Sequence, residues 1–72
     1  MIFNDRLKLL RKENNITQVQ MAEKMSIAPR NYQRLEANGN TPNYAHLIQI
    51  ADIFDVSIDY LAGRTDKREV NR

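Results

Sequence analysis

The side chains best suited to chemistry lie between Pro29 and Ala37, where Arg30, Gln33, Arg34 and Ala37 fall on one side of a helical wheel. Tyr32, Leu35 and Glu36, with Ala28 at the start, gather on the other side, so a packing face separates from an outer face of long hydrogen-bonding side chains. An arginine can bond two acceptors on a guanine edge, and a glutamine or asparagine can do the same for adenine. That is the chemistry that readout of a DNA major groove requires. A solvated amphipathic helix without a ligand would show the same two faces, and the neighbouring segments must decide between the two.

Catalysis has little to work with. The chain has no cysteine, its only serines are Ser26 and Ser57, and its single histidine is His46. A lone histidine near the start of a helix is more often a surface or satisfied side chain than a ligand, and metal binding needs partners that this composition does not supply. Asp52, Asp55 and Asp59 are explained by a cap and a solvated acidic face, and no glycine-rich phosphate loop occurs. The expectation is a protein that is not an enzyme and uses no cofactor or metal.

The elements that must position the outer face follow from spacing. Apolar residues recur at helical intervals nearly throughout, and no stretch alternates with a period of two, so the fold reads as all-α. Asn4 is placed to cap a first helix with Phe3, Leu7 and Leu10 inward, and Asn14-Asn15 ends it. Thr17 opens a second helix, with Gln20 at the spacing of a capping box and Met21, Ala22 and Met25 on one face. Ser26-Ile27-Ala28 is long enough only for a tight turn, and Pro29, whose fixed φ suits the first helical position, begins a third helix reaching about Ala37. Two short helices therefore meet at a sharp angle between Thr17 and Ala37.

After the loop Asn38-Gly39-Asn40-Thr41-Pro42, the residues Tyr44, Leu47, Ile48, Ala51 and Phe54 form the inward pattern of a fourth helix. Asn43 caps it, and it is expected at the centre of the core. Ser57 caps a fifth helix, Asp59 complements its dipole, Val56 packs on Leu61 as a hydrophobic staple, and Gly63 ends it. Residues 1–64 are thus read as one domain and residues 65–72 as a polar, mobile tail.

Seventy-two residues support a single core, because a chain of this size buries only about 60% of the surface its unfolded form exposes. So small a core makes self-association a reasonable expectation. The absence of cysteine fits a reducing compartment, with the cytoplasm as default. The start of the chain lacks the apolar run of a signal peptide, and nothing is long enough to span a membrane. The net charge is only +2, but its distribution is uneven: between Ala37 and Leu61 the only charges are Asp52, Asp55 and Asp59, a region that a polyanion avoids.

Arg6-Leu7-Lys8 and Leu10-Arg11, Ile16-Thr17-Gln18, Met21-Ala22-Glu23-Lys24-Met25, Ile27, Arg34-Leu35-Glu36, Gly39, Pro42, Leu47, Ala51, Phe54 and the run from Asp55 to Thr65 occur in this order. Together they resemble the Cro and phage-repressor helix-turn-helix family, also called the Xre family, over about Arg6 to Arg64. The resemblance implies a five-helix, lambda-repressor-like DNA-binding domain with the helix-turn-helix at helices two and three. It implies that Pro29, Arg30 and Arg34 approach bases, with Gln33 and Asn31 close enough to contact an edge or the backbone. It places Thr17 and Gln18 at a phosphate, lays Asn38, Asn40 and Asn43 along the DNA backbone, and pairs Arg11 with Glu36 as a brace that also brings Arg11 near a phosphate. The chain departs from the family at Ala28 in place of a capping serine or threonine, at Pro29, at Tyr32 where a smaller aliphatic residue is common, and at Ala37-Asn38-Gly39, where the glycine comes one residue late. Tyr32 is read as a core residue with its hydroxyl at the rim.

The resemblance therefore implies a sequence-specific regulator, a repressor of a phage or bacterial promoter that binds a palindromic operator in double-stranded DNA as a homodimer. Ile53, Ile58 and Tyr60, expected to remain partly exposed, would form the dimer surface. Two rivals remain at this point: an antitoxin or other protein-interaction module on the same fold, and a structural helical domain without a DNA role.

Overall fold

The computed structural model describes residues 3–37 and 39–69. Among them the chain forms five helices and no strand: α1 (Phe3–Glu13), α2 (Gln18–Met25), α3 (Pro29–Glu36), α4 (Tyr44–Phe54) and α5 (Ile58–Ala62). The helices close around one core. Leu7 and Leu10 of α1, Met21, Ala22 and Met25 of α2, Tyr32 and Leu35 of α3, Ile50 and Ala51 of α4, and Val56, Tyr60 and Leu61 are all buried. The chain is all-α, as the spacing predicts.

Helix boundaries follow the local chemistry. The hydroxyl of Thr17 accepts from the Gln20 backbone N–H at 3.0 Å, while the Gln20 side chain accepts from the Thr17 N–H at 2.9 Å, which completes the capping box. Asn43 and Ser57 cap α4 and α5 in the same way, accepting from the N–H groups of His46 and Tyr60. Val56 and Leu61, at the staple positions of α5, are both buried. Gly63 closes that helix at φ 82°, a left-handed conformation that a Cβ would strain.

Two expectations are corrected by packing. Asn4 does not cap α1: it lies within the helix, buried, and its amide donates to the carbonyls of Leu35 (2.7 Å) and Asn40 (3.1 Å). Those bonds anchor α1 to the end of α3, where a helix leaves its last carbonyls without backbone donors.

The inward stripe of α4 is Leu47, Ile50, Ala51 and Phe54, while Tyr44 and Ile48 are exposed. Eight of the eleven residues of α4 are apolar or aromatic, so more than one stripe satisfies helical spacing. Contact with α2 and α5 chooses between them, helped by Gln49, whose amide donates to the Met25 carbonyl at 3.2 Å.

From Thr65 to Arg68 the chain returns to the body: the Ser57 N–H donates to the Arg68 carbonyl at 2.8 Å, Arg6 donates to the Thr65 carbonyl and to Asp66, and Arg68 makes two bonds to Glu13. Residues 70–72 lie outside the described residues.

Candidate nucleic-acid interface

The turn between α2 and α3 is set by backbone conformation. Ser26 adopts the left-handed region at φ 58°, and the Ile27 N–H reaches back to the Ala22 carbonyl at 3.0 Å, which closes α2 abruptly. Ile27 is partly buried against the core, Ala28 is extended, and Pro29 takes the first position of α3 with no side-chain cap before it. With no capping hydroxyl at Ala28, the fixed φ of Pro29 is what starts this helix.

Tyr32 and Leu35 pin the inner face of α3, leaving Pro29, Arg30, Asn31, Gln33 and Arg34 exposed together. Among the described residues, none of the side chains of Arg30, Asn31, Gln33 and Arg34 has a hydrogen-bond or ion-pair partner. The contrast with other arginines is direct, because Arg6, Arg11 and Arg68 each pair with a carboxylate. Two unpaired guanidinium groups and an unpaired amide on one face form a donor surface suited to an anionic, acceptor-rich ligand.

Arg11 and Glu36 form the expected ion pair, with Nε 2.5 Å from Oε2, and only 11% and 4% of their side chains exposed. Arg11 also donates to the Ile16 carbonyl at 2.9 Å, so its guanidinium is turned toward the joint of α1, α2 and α3. Gln18 donates to Glu36 Oε1 at 3.1 Å. The Tyr32 hydroxyl donates to Glu36 as well, and the residue lies in the core as expected, with its hydroxyl buried too and not at the rim. Burial opposes ionisation of Glu36, but the hydrogen bonds from Arg11, Tyr32 and Gln18 outweigh it and hold its carboxyl below the ordinary value. Burial raises the Tyr32 phenol well above its usual range, and the neighbouring Glu36 charge raises it further.

The remaining expected site residues are less uniform. Thr17 is exposed, and its hydroxyl is occupied as a cap acceptor. Asn43 likewise serves as the cap of α4. The Asn40 amide donates to the carbonyl of Arg34 at 2.7 Å, so it finishes the C-terminus of α3. Asn38 lies outside the described residues. Ile53 and Ile58 are partly buried, but Tyr60, expected beside them with a partly exposed ring, is only 5% exposed because the guanidinium carbons of Arg6 and Arg68 lie over it at 4.2 and 5.3 Å. Tyr60 is therefore withdrawn from the expected dimer surface. Asn4 was not anticipated at this joint; a single polar residue on the stripe that carries Leu7 is the sequence signal that points to it.

No group of His, Asp or Glu that could hold a metal ion occurs among the described residues, and no helix there is long and apolar enough to cross a membrane. A family profile described as helix-turn-helix matches residues 7–61. The chain is 40% identical over 65 residues to the uncharacterized HTH-type transcriptional regulator YobD of Bacillus subtilis, covering 90% of this chain and 58% of the relative. It is 42% identical over 60 residues to the uncharacterized HTH-type transcriptional regulator YqaE of the same organism, covering 83% of this chain and 52% of the relative. The cryptic phage CTXphi transcriptional repressor RstR of Vibrio cholerae is 38% identical over 71 residues, covering 96% of this chain and 63% of the relative. The chain thus spans between about half and two thirds of the length of these curated relatives. No solved structure shows a significant match. With a two-faced α3 behind a capped α2, and the profile spanning the whole of both, the chain belongs to the Xre-type helix-turn-helix family of transcriptional regulators.

Proposed function

We propose that this protein binds double-stranded DNA sequence-specifically and represses transcription from a palindromic operator as a homodimer, acting where a bacterial or phage genome lies, in the cytoplasm. The observation that carries this reading is the unpaired Arg30, Gln33 and Arg34 face of α3 beside Pro29 and Asn31. Laid in a major groove, it presents bidentate donors to guanine edges and an amide to adenine, while Pro29 offers only apolar contact, suited to a thymine methyl. Gln18 and Thr17 at the start of α2 meet the phosphate backbone, where the positive end of the helix and its free N–H groups favour an anion. Asn40 and Asn43, which follow α3, run along the DNA backbone. Asp52, Asp55 and Asp59, all exposed on or beside α4 and α5, face away from the polyanion.

The homodimer reading rests on Ile53 and Ile58, which remain partly exposed at the junction of α4 and α5. A two-fold there sets half-sites about 34 Å apart, one turn of the duplex. Selection from random duplexes with the purified protein tests the proposal and should return a two-fold motif. Arg34→Ala should weaken binding to that motif by about 1–3 kcal/mol and relax the choice at one base position. Equal binding of selected and random DNA by the wild type would remove the reading.

A further inference from the structure

A carboxylate has about four acceptor sites, two on each oxygen, and Glu36 fills all of them. Oε1 accepts from Arg11 Nη2 at 3.2 Å and Gln18 Nε2 at 3.1 Å, while Oε2 accepts from Arg11 Nε at 2.5 Å and from the Tyr32 hydroxyl. Arg11 and Gln18 reach the carboxylate on long side chains from α1 and α2. Tyr32 differs: it sits one turn before Glu36 on the same helix, and its ring is fully buried, so its hydroxyl has the least freedom to move.

We propose that Tyr32 is a positioning residue for phosphate binding at the start of α2. With its hydroxyl on Oε2, the Glu36 carboxylate is held in one rotation, Oε1 takes a single hydrogen from Gln18, and the second amide hydrogen of Gln18 remains for a DNA phosphate. This rests on the DNA-binding reading above and extends it to a buried residue of α3. Without the hydroxyl, Oε2 keeps one donor in a site where the carboxylate is only 4% exposed, so water has little access to replace the missing bond. The carboxylate then turns to recruit another hydrogen. The Gln18 amide is the flexible donor within reach, and an amide drawn inward no longer serves the phosphate.

Titrations of a short mixed-sequence duplex over a range of salt, with wild type, Tyr32→Phe, Gln18→Ala and the double variant, test this. Phosphate contacts are sequence-independent, so no operator is needed. Tyr32→Phe should bind about threefold to tenfold more weakly at every salt concentration, the double variant should be no weaker than Gln18→Ala, and all should keep the wild-type salt slope, because an uncharged amide releases no counterion. A structural role alone would lower the melting temperature and leave the affinity of the folded protein unchanged. The proposal is overturned if Tyr32→Phe binds as tightly as wild type, or if the losses in the double variant multiply. Wild-type protein that binds no duplex removes the DNA-binding reading itself, and this one with it. In the wild type the Gln18 side-chain amide resonances should shift when duplex is added, a measurement independent of how well any variant folds. Resonances that stay fixed while the duplex binds would also overturn the proposal.

Discussion

Two arginine–glutamate pairs tie α1 to distant parts of the chain, and they differ in almost nothing but surroundings. Arg11 meets Glu36 at 2.5 Å with side chains 11% and 4% exposed, while Arg68 meets Glu13 at 2.7 Å with side chains 43% and 41% exposed. The first sits at the joint of α1, α2 and α3, where Tyr32 and Gln18 complete its hydrogen bonds. The second closes a strap formed by Thr65 to Arg68, whose arginine also lies over Tyr60. A pair removed from water depends on every partner being present, because neither charge has solvent to fall back on. A pair in water loses little when one partner goes. The two pairs should therefore respond very differently to the same chemical change.

The largest difference is expected for Glu36→Ala. It strands the Arg11 guanidinium in a site where water scarcely reaches and leaves the Tyr32 hydroxyl without its acceptor. Removing one partner of a buried pair typically destabilises by about 3–5 kcal/mol, which matches the roughly 3–5 kcal/mol that a core of this size supplies. Urea titration followed by circular dichroism should therefore show a variant with little or no cooperative transition. Glu36→Gln, which keeps the volume and one acceptor, should retain a transition at lower urea. A Glu36→Ala protein that unfolds at wild-type urea concentrations would show that the network is decoration on a core sufficient by itself.

Acid separates the pairs next. Both carboxyls are held below the ordinary value of 4.5: Glu36 by hydrogen bonds from Arg11, Tyr32 and Gln18 that overcome its burial, and Glu13 chiefly by the bond from Arg68. A carboxyl whose pKa is depressed in the folded state contributes stability that is fully present above its unfolded pKa and lost as pH falls through the folded one. Stability should thus hold from neutral pH down to about 4.5 and decline below it. Burial assigns most of that decline to Glu36. Urea midpoints collected across this range should flatten in Glu36→Gln and keep nearly the wild-type profile in Glu13→Gln. The reverse result would move the acid-sensitive bond to the strap.

The same contrast explains what sequence could reveal. Thr17 and Gln20, Asn43, Ser57 and Gly63 act on neighbours within a few residues, so their roles were legible from spacing alone, and the structure has each of them in place. Arg11 with Glu36 was legible only through the family resemblance, since 25 residues separate them. The Tyr32 hydroxyl and the Asn4 amide were not: Asn4 depends on where α3 and the loop after it bring their carbonyls, and Tyr32, although one turn before Glu36 on the same helix, shares its carboxylate only where packing buries the ring. The register of α4 failed for a different reason. Its apolar residues are so continuous that Ile48 and Ile50 are equivalent until α2 and α5 choose between them. Tyr60 failed for a third: what covers it comes from Arg6 and Arg68, at opposite ends of the chain, in a tail whose polarity reads as solvation.

Arg68→Ala should have the smallest effect, and where it acts is the informative part. It removes both bonds to Glu13 and the guanidinium over Tyr60, but strands no buried charge, so the variant should melt close to wild type at physiological salt. The loss should instead be local. The Ser57 N–H, which donates to the Arg68 carbonyl at 2.8 Å, should exchange with solvent several-fold faster once the side chain no longer holds that backbone in place. The Gln20 N–H, capped by Thr17 at the start of α2, should keep its wild-type rate. Raising salt in the wild type should reproduce part of the Ser57 acceleration, because the Glu13–Arg68 pair is open to screening, and should leave Gln20 unaffected. If Arg68→Ala instead destabilised the whole domain as Glu36→Ala is expected to, the strap would belong to the core, and exposure would not be what distinguishes the two pairs.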